Sequence, residues 1–179
     1  MVQLSRFFFA ASLVLASFAT PTKRTVAQVE ADIATITTQV NSLNSSINAF
    51  PASGLVGALG INTASGNLNT AVQQGTTDGT TPQPVSEADG TTILNSVQAV
   101  QPTILQALTA IATKKAAFAA LPIAGIPALV LQDLQALNTS TVAFAASLIA
   151  AAPADLKAKA TAIESAIVSA FATAIAAYE

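Results

Sequence analysis

The sequence contains no cysteine, no histidine and no tryptophan, and only 9% of its 179 residues are charged. Without cysteine there is no thiolate nucleophile and no disulfide; without histidine there is no imidazole base, and together the two absences remove thiolate and imidazole metal sites. Aromatic residues are also scarce, at eight phenylalanines and one tyrosine, and four of the phenylalanines (Phe7, Phe8, Phe9 and Phe18) fall near the start. What remains is aliphatic: 52% of the chain is hydrophobic, carried by alanine with leucine, isoleucine and valine. A chain of this length suits one domain plus processing segments. Lacking disulfides, it must be held together by a sufficient apolar core.

The first residues read MVQLSRFFFAASLVLASFATPTKR. Arg6 precedes an apolar stretch from Phe7 to Leu15, and the small residues Ser17 and Ala19 follow, which is the pattern of a secretion signal. Cleavage after Ala19 fits best, with Ala16 as the second choice. The stretch falls short of the roughly 20 apolar residues of a membrane span, and Pro21 interrupts it. The expected organisation is therefore a signal at residues 1–19, a short pro-segment at 20–24 ending in the dibasic pair Lys23–Arg24, and one domain over 25–179. From Thr25 onward four lysines face nine acids, a formal charge of −5, so nucleic acid is not an expected partner.

Apolar periodicity organises the remainder. Val26, Val29, Ile33, Ile36, Val40, Leu43, Ile47 and Phe50 alternate steps of three and four, predicting a helix capped by Thr25 and ended by Pro51. A second stretch, Ala52 to Gln73, keeps Leu55, Leu59, Leu68 and Val72 on one side, but four glycines weaken it and predict a break near Gly60. GTTDGTTPQPV, residues 75–85, reads as a loop. Ser86 to Asp89 resembles a capping box, and behind it Ile93, Val97, Val100, Ile104, Leu108, Ile111, Lys115 and Phe118 keep phase through Pro102, predicting one kinked helix that closes near Leu121. After the turn LPIAGIP, a fourth helix follows Ile126, Val130, Leu134, Leu137, Phe144 and Leu148. Pro153 fits the N1 position of a fifth, which runs through Leu156, Ile163, Ile167, Phe171 and Tyr178. The fold class is all-α: an antiparallel bundle of about five amphipathic helices. A core rich in aliphatics and poor in large aromatics leaves room for an internal apolar cavity.

The 17 uncharged residues between Lys115 and Asp133 do not form a span, since Pro122, Gly125 and Pro127 divide them. Nor does the chain show catalytic signatures. It has no G-x-S-x-G elbow, phosphate loop or dinucleotide fingerprint, and GLVGALG at 54–60 has the wrong spacing for either glycine-rich motif. Glu87, Asp89 and Asp155 lie at helix starts, where acids complement the dipole. The four lysines read as solvated helix residues. Neither enzyme activity nor a cofactor is expected. Asn44-Ser45-Ser46 and Asn138-Thr139-Ser140 are N-glycosylation sequons.

The heptad helix after a dibasic pair, then KKAAFAALP, LVLQDLQALNTSTVAF and AFATAIAAY, resemble the fungal hydrophobic surface-binding protein A family, also called cell-wall galactomannoproteins. The likeness runs from about Thr25 to Tyr178, and LQDLQALNTST at 131–141 carries most of it. The resemblance implies a secreted helical protein that adsorbs to hydrophobic surfaces, some relatives recruiting hydrolases to polymers and others binding fatty acids. The chain departs from the longer wall members in having one copy of the domain, no Ser/Thr-rich stalk and no polar spacer of a GPI signal, which favours release over wall attachment.

Two functions follow. One is a binder of a fatty acid or similar lipid, with Ile36, Val40, Leu43, Ile104, Leu108, Leu134, Leu137, Phe144, Ile163, Ile167 and Phe171 as candidate lining. The other is adsorption to hydrophobic surfaces by spread helix faces. A wall mannoprotein, or a recruiter of a secreted hydrolase, stands as the alternative. Ile123 and Ile126, in an unusually apolar turn, are either tucked under the bundle or offered outward, and outward they are candidates for an exposed contact.

Overall fold

The computed structural model describes residues 25–77 and 85–179. The expected secretion signal and dibasic pair, and residues 78–84 of the expected loop, lie outside the described residues. The described residues form five long helices and one short one: α1 (Val26–Ala49), α2 (Gly54–Thr77), α3 (Glu87–Thr113), α4 (Lys115–Ala119), α5 (Ile126–Ala151) and α6 (Ala154–Tyr178).

The heptad of α1 is realised as read. Thr25 caps it, its hydroxyl accepting from the Gln28 N–H at 3.2 Å, and Val29, Ile33, Ile36, Val40, Leu43 and Ile47 are all buried. Ser86 caps α3 by accepting from the Asp89 N–H at 3.2 Å, while its own hydroxyl donates to the Asp89 carboxylate at 2.7 Å. Pro102 lies within a continuous α3, on its exposed side, where the lost N–H is least costly. Pro153 is the N-cap of α6 rather than N1. Gly125 precedes α5 with φ +89°, a left-handed conformation that glycine adopts without penalty.

Three expectations are corrected. The helix α2 does not break near Gly60; it is continuous from Gly54 to Thr77, taking in Gly75–Thr77 of the expected loop. Glycine's propensity cost is outweighed by packing of the buried Ala58, Ile61, Leu68 and Val72. The helix α3 ends at Thr113, and a turn at Lys114 (φ −97°, ψ 3°) separates it from α4. That turn lets Phe118 dive inward, where it is fully buried and stacks on Phe50. Lys114 is correspondingly not a free solvated residue, since its ammonium donates to the Phe50 carbonyl. The third correction divides the apolar turn: Ile126 is buried at 7% exposure, while Ile123 stays 45% exposed.

Consecutive long helices alternate in direction, and each packs on two others: α1 on α2 and α3, α3 on α6, α6 on α5, and α5 back on α2. The five form a closed ring. An odd ring cannot alternate throughout, so like-directed helices must meet somewhere. Asn62 bonds to Asp133 and Asn69 to Ser140, setting α2 parallel to α5. Gly90 of α3 approaches Leu156 of α6 near their starts, and the Tyr178 hydroxyl reaches the Ile111 carbonyl near their ends, so these helices are parallel too.

Ring closure also explains where space is left. With axes about 9 Å apart, five helices stand about 8 Å from the ring axis, where four would stand about 6 Å. Leucine, isoleucine and valine are short for that span, and among the described residues no further helix runs along the axis.

Candidate functional site

A pocket of about 320 Å³ lies among the five long helices. Ligand pockets typically occupy about 300–1,000 Å³. Every apolar residue singled out in the sequence as lining stands on it: Ile36, Val40 and Leu43 from α1, Ile104 and Leu108 from α3, Leu134, Leu137 and Phe144 from α5, and Ile163, Ile167 and Phe171 from α6. The heptad positions converge because each helix turns its apolar stripe to the ring axis. Ile126 lines the pocket as well, whereas Ile123 does not.

Sequence reasoning missed the α2 side. Ile61, Ser65, Leu68 and Val72 complete the wall, and Asn62 stands beside them. The apolar step from Leu68 to Val72 was legible, but the glycines made the helix look broken, and no residue from it was singled out. Leu59, read as part of the apolar stripe, lines the pocket yet remains 49% exposed.

The pocket has one stoppered end. Phe50, Phe118 and Tyr178 meet there, with Phe118–Tyr178 centroids 6.4 Å apart, and none of the three lines the pocket. The Tyr178 hydroxyl donates to the Ile111 carbonyl at 2.8 Å, and burial pushes its pKa well above the usual phenol value. Toward the opposite end the lining includes Val26, Val85, Ala151, Ala152 and Leu156.

Polar groups on the wall are few. Asn62 Nδ2 donates to Asp133 Oδ2 at 2.9 Å across the α2–α5 seam. Burial pushes the Asp133 carboxyl above its ordinary pKa, and the Asn62 hydrogen bond opposes this by favouring the charged form. Ser65, Thr141, Ser147 and Glu164 also border the space, and among the described residues no lysine or arginine does. One heptad from Asn62–Asp133, outside the pocket, Ser140 donates to Asn69 Oδ1 at 2.7 Å. Among the described residues no group of three or more acids is placed to hold a metal ion.

The sequon asparagines sit within helices. Asn44 is half-buried and donates to Gln106 Oε1 at 3.4 Å. Asn138 is half-buried as well, with its Oδ1 buried and without a hydrogen-bond partner. Glycan attachment at either remains an expectation that mass spectrometry of the protein from a glycosylating host tests.

A family model described as hydrophobic surface binding protein A matches residues 26–150. Among solved structures, AFMP4P in complex with palmitic acid superposes with a TM-score of 0.80 at 32% identity, covering 87% of this chain and 100% of that one. Ligand binding domain 1 of the Penicillium marneffei MP1 protein, complexed with arachidonic acids, gives a TM-score of 0.78 at 18% identity, over 87% of this chain and 99% of that one. Domain 2 of the same protein, complexed with multiple arachidonic acids, gives 0.77 at 18% identity, over 88% and 97%. At that identity the two MP1 domains bear on the fold alone. A comparison with curated protein sequences returns no match.

Proposed function

The chain belongs to the hydrophobic surface binding protein A family, and we propose that it is a secreted, non-enzymatic protein that holds a long aliphatic ligand inside its five-helix ring. The observation that carries this reading is the convergence of aliphatic side chains from all five long helices on one pocket. The palmitic acid complex of AFMP4P, 32% identical over nearly the whole described chain, supports it. Each methylene withdrawn from water contributes about 0.8 kcal/mol, so an acyl chain of a dozen carbons supplies roughly 10 kcal/mol before the costs of association.

α5 and α6 are long and apolar enough, by length and composition, to cross a bilayer. Their branched and aromatic residues Leu134, Leu137, Phe144, Ile163, Ile167 and Phe171 face the pocket instead. The reading as a protein without a membrane span rests on that inward face.

Native mass spectrometry of the protein with added fatty acid tests the proposal. Leu137→Trp, which fills the pocket from α5, is expected to abolish the lipid adduct while the helical circular dichroism is kept. Absence of any adduct with the wild type would overturn the reading.

A second reading, adsorption to hydrophobic surfaces, has its own support. Val56 is 80% exposed and Leu59 49%, both early in α2, and Ile123, just before α5, is 45% exposed. Since α2 and α5 run parallel, these residues cluster at one end of the bundle. Replacing Val56 and Ile123, neither of which lines the pocket, with serine is expected to reduce depletion onto hydrophobic beads without altering lipid adducts. Equal depletion by the double variant would sink this reading and leave the first in place.

A further inference from the structure

For a lipid to reach the space inside a closed ring, the ring has to part, and its boundaries are not equal. The turn at residues 50–53 ties α1 to α2, and that at 152–153 ties α5 to α6. The α3–α6 seam is pinned at both ends, by Gly90 against Pro153 and Leu156 and by Tyr178 at the stopper. At the unstoppered end the Val85 N–H donates to the Ala151 carbonyl at 3.0 Å, drawing the chain before α3 against the end of α5. Between α1 and α3 the wall is aliphatic, from Ile36, Val40 and Leu43 to Val100 and Ile104, and the Asn44–Gln106 contact lies outside it. Between α2 and α5 the contacts are polar. Asn62 donates to Asp133 at 2.9 Å on the lining, and one heptad further Ser140 donates to Asn69 at 2.7 Å. Leu59, one turn before Asn62, lines the pocket and is 49% exposed, so the space already reaches solvent beside this seam.

We propose that the seam between α2 and α5 is the lipid's portal, α2 bending away from α5 so that an acyl chain passes between Leu59, Asn62 and Ser65 on one side and Leu129 and Asp133 on the other. The proposal rests on the lipid-holding reading above. Side-chain hydrogen bonds that part exchange for bonds to water at little net cost, whereas apolar contact that parts is lost in full. Asp133 is half-buried and desolvation raises its pKa, so water entering the seam relieves a cost that the closed ring bears. The helix α2 is also built to bend. A Cβ at Gly57 would strike Ser53, and one at Gly75 would strike Phe144, so packing calls for glycine there. At Gly60 and Gly66, which flank Asn62 and Ser65, a Cβ meets nothing within 4 Å. Glycine at those two places answers no packing demand. Its effect is a helix that bends and opens more readily than one with alanine.

Stopped-flow binding of cis-parinaric acid, a fluorescent fatty acid, to the delipidated protein tests this. Since the chain has no cysteine, Asn69→Cys with Ser140→Cys gives a single thiol pair across α2–α5, and Asn44→Cys with Gln106→Cys gives one across α1–α3. Each pair is bridged with dibromobimane and the bridge verified by mass. Bridging α2 to α5 is expected to slow uptake about tenfold or more, and bridging α1 to α3 to leave it within about twofold. Gly60→Ala combined with Gly66→Ala is expected to slow association and release alike by about tenfold, leaving the equilibrium affinity within about threefold. Unchanged uptake by the bridged α2–α5 protein overturns the proposal, as does equal slowing by the two bridges. For the glycine pair, unchanged rates overturn it, and so does a loss of affinity with release unslowed. If a cysteine variant fails to fold, the glycine pair is judged alone by the same rule. If the wild type binds no probe at equilibrium, the lipid-holding reading itself fails, which is a separate result.

Discussion

The rings of Phe50 and Phe118 stack with centroids 4.2 Å apart and planes 14° from parallel. They join the end of α1 to the short helix α4, and with Tyr178 they close the ring end where α1, α3 and α6 finish. In a chain with so few aromatics, three of the nine gather at this stopper while Phe144 and Phe171 line the pocket.

Phe118→Ala is therefore expected to cost about 3–5 kcal/mol, because a fully buried ring is lost and its stacking partner with it. Urea denaturation followed by circular dichroism measures it. A loss no larger than that of an exposed alanine-to-serine change would show that the stopper is not part of the cooperative core.

Two glycines should respond with opposite sign. A Cβ at Gly90 would stand 2.7 Å from Pro153 Cδ and 3.0 Å from Leu156 Cδ1, pressing α3 off the start of α6. Gly90→Ala is expected to destabilise by about 1–3 kcal/mol, as overpacking does. At Gly60 a Cβ meets open space within a helix, so Gly60→Ala is expected to stabilise by about 0.5–1 kcal/mol. Thermal melts of the two variants check the pair, and a gain at Gly90 would contradict the close approach.

Asp133 makes stability depend on pH in a defined direction. Its folded pKa is raised above the ordinary value of 3.8, chiefly by burial. The preference for the protonated form is fully present below about pH 4 and is lost as the pH rises through the elevated folded value. Asp133→Asn, neutral throughout, is expected to gain in melting temperature relative to the wild type between pH 4 and pH 7. Melts of the unliganded proteins across that range measure it; a difference that stays constant would show that the carboxyl is not desolvated.

Much of this was legible before any fold was known. The steps of three and four from Val26 to Phe50 specify α1 because a helix repeats every 3.6 residues, and burial follows the stripe. The same argument finds α3, α5 and α6 and eleven residues of the pocket wall. It fails for α2, where local glycine propensity was weighed without the packing that overrides it. It places Ile126 on the stripe of α5 but does not separate it from Ile123 in the same apolar turn; the surrounding helices bury the one and leave the other exposed.

Local pattern and composition determined that the chain is helical, aliphatic, poor in catalytic groups and stripped of histidine and cysteine chemistry, because those properties belong to residues and their spacing. The closed ring was decided only in three dimensions. Which helix neighbours which depends on contacts between residues as far apart as Asn62 and Asp133, and nothing in either segment's own period reports the other. The pocket follows from that ring, since five helices around one axis stand further from it than four would, and short aliphatic side chains leave space at the centre.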